Sequence, residues 1–220
     1  MPRTIIVGYI VPLSILLPII IFLFKYRYAP KAFKLLFYFL IAAAVINSAA
    51  LVVVNKGMRN LPLLHLYTIV ESVFFLLYFK AIFKEKTIKK VITIMMVAFV
   101  IVSVVNSLFI QNLFTFNTHT RPLEAIIITV LCLMHLFKSD FAEDWLKQPV
   151  NWINIGILVY FPVAMVIFTL SNYFTFIKTE LEMIRRMWDL HAILVLLMYV
   201  IWAKGFSLIK KSKDKLETVK

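Results

Sequence analysis

Little in this chain belongs to a soluble protein. Of its 220 residues only 16% are charged, 11 are acidic, four are glycine and one, Cys132, is cysteine. A single cysteine excludes an internal disulfide and any paired-cysteine site. Set in an apolar run, Cys132 reads as a small packing residue. The scarce glycine leaves no Gly-rich phosphate loop, and the four histidines form neither a His-x-x-x-His nor a His-Glu-x-x-His motif. No Ser, His and Asp fall in a catalytic order. Within the 220 residues no polar stretch is long enough for a separate catalytic or nucleic-acid-binding domain.

What is present is apolar. Hydrophobic residues make up 62% of the chain, and the mean hydropathy is +0.91. A spanning helix needs about 20 apolar residues to cross a hydrocarbon core about 30 Å thick. Seven such stretches are predicted, over residues 4–24, 32–54, 61–83, 91–110, 121–137, 150–176 and 187–206. They are apolar on every face, whereas barrel strands alternate, so an all-α polytopic membrane protein is expected. The first stretch is longer than a signal-peptide core and no Ala-x-Ala site follows it, so it is expected to be a mature helix, kinked at Pro12 and Pro18. One seven-helix domain over 1–209 and a basic tail over 210–220 complete the organisation.

The net charge of +13 does not imply nucleic acid as a partner, because its placement alternates from loop to loop. One side carries 17 of the 24 Lys and Arg, including Lys84, Lys86, Lys89, Lys90 and the tail; the other carries seven, among them Arg59, Arg121, Arg185 and Arg186. The positive-inside rule puts the N-terminus outside and the tail in the cytoplasm. The lipid bilayer accounts for the basic excess through its anionic headgroups, and the tail can also serve a cytoplasmic protein partner. The segment from Lys138 to Pro149 reads as an interfacial turn anchored by Trp145. Glycine being rare in the spans, close helix approach is expected on the alanine face of the second span: Ala42, Ala43, Ala44, Ala49 and Ala50.

A weak periodicity runs through the polar residues. Asn47 precedes His65, and Asn106 precedes Glu124, by the same interval; Asn172 precedes His191 by one residue more. The pattern reads as a 1+2+2+2 arrangement, one leading helix and three hairpins. Pro62, Pro122 and Pro149 suit first turns of helices.

Ionisable groups inside a bilayer need a partner or a wet site. With the N-terminus outside, Asn47, His65, Glu71, Asn106, Glu124, Asn172, Asp189 and His191 fall in the outer half, and His135, Asn151 and Asn154 in the inner half. Glu71 is the deepest carboxylate, about ten residues or roughly 15 Å below the start of its helix, with Tyr67 one turn above it. Two readings stay open: an outward-facing cavity in which Glu71 binds a small molecule or cation, or a buried Glu71 paired with His191 or Asn47 that fixes packing. Glu124 and Asp189 have a simpler explanation as carboxylates in the first turn of a helix. The ligand-binding set is therefore Glu71, His65, His191, Asn47, Asn106, Glu124 and Tyr67. If a metal binds, His65, His191 and Glu71 are its ligands. Lys204 lies at the end of its span, away from the hydrophobic middle, and no cofactor is expected.

Two segments, His65-Leu-Tyr67-Thr-Ile-Val-Glu71 and Trp188-Asp-Leu-His191-Ala-Ile followed by Tyr199 and Gly205, resemble uncharacterised small seven-helix bacterial membrane proteins, some associated with sensor kinases. The resemblance implies a sensor or accessory protein of the bacterial inner membrane and assigns no catalytic residue. A non-enzymatic receptor is thus the leading expectation. A small secondary transporter is the alternative, and a metal-dependent lipid hydrolase a further one, although such hydrolases use a histidine pair where the last span here has one.

Overall fold

The computed structural model describes residues 5–139 and 144–210. Among these, seven helices are long and apolar enough to cross a membrane. They are α1 (Ile6–Tyr28), α2 (Lys31–Asn55), α3 (Leu61–Ile82), α4 (Lys86–Ile110), α5 (Thr120–Lys138), α6 (Pro149–Lys178) and α7 (Leu181–Ser207). The chain is a multi-pass all-α bundle. We call the end where α1 begins the upper end. The basic tail beyond Lys210 and residues 140–143 of the interfacial turn lie outside the described residues. Of that turn, Trp145–Lys147 forms a short 3₁₀ segment, and Trp145 Nε1 donates to Ser139 Oγ at 3.3 Å.

Helices α4 and α7 start about a turn or more earlier than hydropathy predicts. Their first turns carry Lys86, Lys89 and Lys90, and Glu182, Arg185 and Arg186. A helix can run past the hydrocarbon into the headgroups, where charge costs little, and a hydropathy window sees only the part inside. The longer α7 moves Asp189 into its third turn, so the helix dipole, felt only in the first turn, does not explain that residue.

Prolines place the breaks and starts. Helix α1 is interrupted at Ile15 between Pro12 and Pro18, with Ile6–Ile10 wound as a π-helix. Each proline removes one i→i−4 bond, and Ser14 Oγ donates to the Val11 carbonyl at 2.6 Å. Pro62, Pro122 and Pro149 do fall in first turns. Pro162 lies within α6. That helix ends in a π segment, and Thr179, at φ 52° in the left-handed region, turns the chain into α7.

Six helices form a ring in the order α1, α2, α3, α5, α6, α7, with α7 closing onto α1. Helix α4 stands outside, packed on α3 and hardly touching α5. The lower half of the ring is filled by rings of another kind. Phe22 stacks on Phe37 at 4.9 Å and meets Phe206 edge-on at 4.8 Å, and Phe75 meets Phe161 at 5.0 Å and Trp202 at 5.8 Å. All six are buried.

Close helix contact is seen at two glycines between α6 and α7, while most of the alanine face of α2 is not buried. A Cβ on Gly156 would lie 2.6 Å from Trp202 Cδ1, and one on Gly205 3.0 Å from Trp152 Cβ. Of the five alanines only Ala43 is buried, while Ala49 is exposed. Small side chains permit close packing but do not choose the side from which a neighbour comes.

Candidate functional site

Glu71, on α3, finds its partner on α5. Arg121 Nη1 contacts Glu71 Oε2 and also donates to Glu124 Oε2 at 2.7 Å. Its Nη2 donates to the hydroxyl of Tyr160 on α6 at 3.1 Å, and that hydroxyl pairs with His191 Nε2 on α7 at 3.0 Å. Tyr67, one turn above Glu71, donates to Glu71 Oε1 at 3.2 Å. The guanidinium lies between the faces of Tyr67 and Phe168, 5.4 and 5.1 Å from their centroids, a stabilising cation–π arrangement. One polar network thus joins four helices, with Arg121, Glu71 and Glu124 all buried.

Arg121 corrects the sequence reading twice. It is not a loop cation, and Glu71 pairs with it rather than with His191 or Asn47. Glu124 likewise is no free dipole-stabilised carboxylate, since Arg121 lies one turn before it. When both acids are ionised the trio carries one unmatched negative charge, and Glu124 Oε1 is buried without a hydrogen-bond partner. Buried ion pairs keep their geometry because removing one member strands the others in low dielectric.

Above the trio lies a cavity of 440 Å³, reached by residues of every ring helix. That size is within the range of small-molecule sites. Its polar lining is Arg121, Tyr160, His191, Tyr67, Tyr199, Asn47 and Asn60; the rest is apolar and aromatic, including Phe116 and Trp188. Of the seven predicted ligand-binding residues, Asn47, Tyr67 and His191 line it. Glu71 and Glu124 stand behind the guanidinium and do not.

His65 and Asn106 turn elsewhere. They hold the segment 111–119, which folds over the upper end between α4 and α5. His65 pairs with Ser107 Oγ at 3.1 Å and the Thr115 carbonyl at 3.2 Å. Asn106 donates to Gln111 Oε1 at 3.2 Å, and Gln111 Nε2 donates to the Phe116 carbonyl and to Thr118 Oγ1, both at 2.8 Å. Asn172 accepts from the Phe116 amide and donates to its carbonyl, both at 2.9 Å. Asn117 Oδ1 caps α5 by accepting from the Thr120 amide at 3.1 Å and from its hydroxyl at 2.9 Å. The polar groups of this segment are met inside the protein, and Phe116 is thereby set against Trp188 at 5.1 Å, over the cavity.

The predicted metal set does not assemble. His65 is engaged with Ser107 and Thr115, and His191 with Tyr160. Among the described residues no group of three or more His, Cys, Asp or Glu is placed to hold a metal ion. Of the residues expected in the inner half, Asn154 ties helices together, its Nδ2 bonding His135 Nδ1 at 2.9 Å and its Oδ1 accepting from Tyr78 at 3.2 Å, and Asn151 Nδ2 donates to the Trp145 carbonyl of the preceding turn at 2.8 Å.

Reasoning from sequence missed Arg121, Tyr160, Tyr199 and Asn117. The signal for Arg121 was present: two intramembrane carboxylates without a cation, and an arginine three residues before one of them. Fold and site together define a seven-helix membrane bundle with a buried ionic cluster beneath an upper cavity. No protein-family model, curated protein or solved structure matches the chain.

Proposed function

We propose that this protein is a non-enzymatic membrane receptor whose small-molecule ligand occupies the upper cavity. One observation carries the reading: the 440 Å³ cavity has a polar floor, Arg121, Tyr160 and His191, contributed by three helices and joined by hydrogen bonds. A ligand at that floor touches α5, α6 and α7 together, so binding energy acts on helix positions. Below it the buried aromatic layer closes the bundle, which favours reception over passage. With Arg121 removed from the loops, the cation asymmetry across the two ends grows. That asymmetry supports an outward-facing cavity and a cytoplasmic lower end, in a bacterial inner membrane, where a partner protein would read the change.

Native mass spectrometry of gently solubilised protein tests this. A bound mass is expected on the wild type and absent from His191→Ala. An empty wild type, as heat-stable as the variant, would overturn the reading.

A small secondary transporter is the second reading, favoured by one feature: α1, interrupted at Ile15, and α6, which carries Pro162 within a continuous helix, both border the cavity. Flux of the co-purified molecule into liposomes separates the two; none is expected.

A further inference from the structure

We infer that the cavity takes a neutral, single-chain amphiphile from the bilayer, which passes between the upper halves of α1 and α2 and presents a hydrogen-bond-accepting head to Arg121. This rests on the receptor reading and names the class of ligand and its route.

The route follows from how α1 sits. At the lower end α1 and α2 are pinned by the Phe22–Phe37 stack and by the hydroxyls of Tyr26 and Tyr38, 2.5 Å apart. Above the break at Ile15, α1 packs on α7 and makes little contact with α2. Beyond Ala43 no residue of α2 is buried, and in α1 above the break only Val11 is. Yet Val11 and Ala50, on opposite sides of this seam, both line the cavity. The seam thus joins the cavity to the side of the bundle that faces acyl chains. Asn47, exposed on α2 at the seam, marks a polar step along an otherwise apolar passage.

The head group follows from charge. A guanidinium has five N–H donors, and the bonds to Glu71, Glu124 and Tyr160 leave some of them to face the cavity. With both acids ionised the trio behind carries one excess negative charge, and with one protonated it is neutral; in neither state does it offer an unmatched positive charge to an anionic head in low dielectric. A cationic head would meet the guanidinium first, because neither carboxylate lines the cavity. A carbonyl or similar neutral acceptor meets neither cost. The apolar walls from α1, α2 and α7 suit a chain rather than a second polar group.

The test uses the full chain in lipid nanodiscs and three probes of matched chain length: methyl decanoate, decanoate at a pH where it is ionised, and decylammonium. Binding is read by native mass spectrometry and thermal shift. Methyl decanoate is expected to bind at least about tenfold more tightly than the charged probes, and Tyr160→Phe to weaken it by about tenfold, the loss of one polar anchor of the floor. For the route, Val11→Cys and Ala50→Cys in a Cys132→Ala background are joined by a short bismaleimide, and the same protein left unjoined is the control. Joining is expected to slow methyl decanoate binding severalfold, and an unchanged rate overturns the route. Tighter binding of decanoate or decylammonium, sensitive to Tyr160→Phe, overturns the ligand class and leaves the receptor reading standing, as does a co-purified mass when no probe binds. No probe bound and no co-purified mass overturns both.

Discussion

The upper and lower halves of this bundle are held together by different forces. Below, α1, α2, α3, α6 and α7 meet through aromatic side chains, Phe22, Phe75, Phe161 and Trp202 among them. Above, α3, α5, α6 and α7 meet through Arg121 and its partners, and the segment 111–119 is hung on amide and imidazole groups. In lipid the hydrophobic effect gives no net drive for one helix to bury against another, so packing and hydrogen bonding must supply it. Ring packing tolerates no space; a polar network fixes directions and can border an open volume. The half with the cavity is accordingly the polar one.

The largest break in this division is expected from Arg121→Met, which strands Glu71 and Glu124. Thermal unfolding in detergent should show a loss of about 3–5 kcal/mol, and the triple variant with Glu71→Gln and Glu124→Gln should recover most of it. A failure of the triple variant to recover would mean that the charges are not what Arg121 serves. In the lower half Gly156→Ala is next, at about 1–3 kcal/mol, because the added methyl collides with the Trp202 indole. Its effect should appear as faster hydrogen exchange in α6 and α7 below Pro162, with the upper network unchanged. Asn117→Ala removes the cap of α5 and should cost about 1 kcal/mol, with faster exchange confined to 111–120.

The smallest effect is outside the membrane. Lys138 Nζ donates to Glu85 Oε1 at 2.5 Å, and this bond holds the Glu85 carboxyl below its ordinary value of 4.5. A depressed carboxyl contributes stability that is present above its unfolded value and is lost as pH falls through the folded one. The pair is exposed, so Lys138→Gln should change the melting temperature only marginally at neutral pH and not at all in strong acid.

The seven helices were legible because length and hydropathy alone decide them. Their charged first turns, at Lys86 and Glu182, were not, because those turns leave the hydrocarbon. Glu71, Tyr67 and His191 could be found as polar groups in apolar runs, and the Tyr67–Glu71 bond follows from helical spacing. That His65 and Asn106 serve the 111–119 segment instead of the cavity depends on the rotation of α3 and α4 about their axes. Packing against neighbours sets that rotation, and the sequence of one helix does not contain it. Arg121 was misread for a related reason: next to Pro122 and a polar segment it looks like loop, and only the depth of α5 in the bundle makes it core.

Helices α6 and α7 are joined through two residues, Thr179 and Glu180, and clamped where Trp202 covers Gly156 and donates to the Ile153 carbonyl at 3.1 Å. Mechanically they are one jaw, and that jaw carries Tyr160, His191 and Tyr199. Across the seam stands α2, which leans mainly on α3 and meets α1 only at the lower end, through Phe22, Phe37 and the two tyrosines. The polar floor thus sits on the most extensively joined pair of helices, whereas the α1–α2 seam is fastened at its lower end alone.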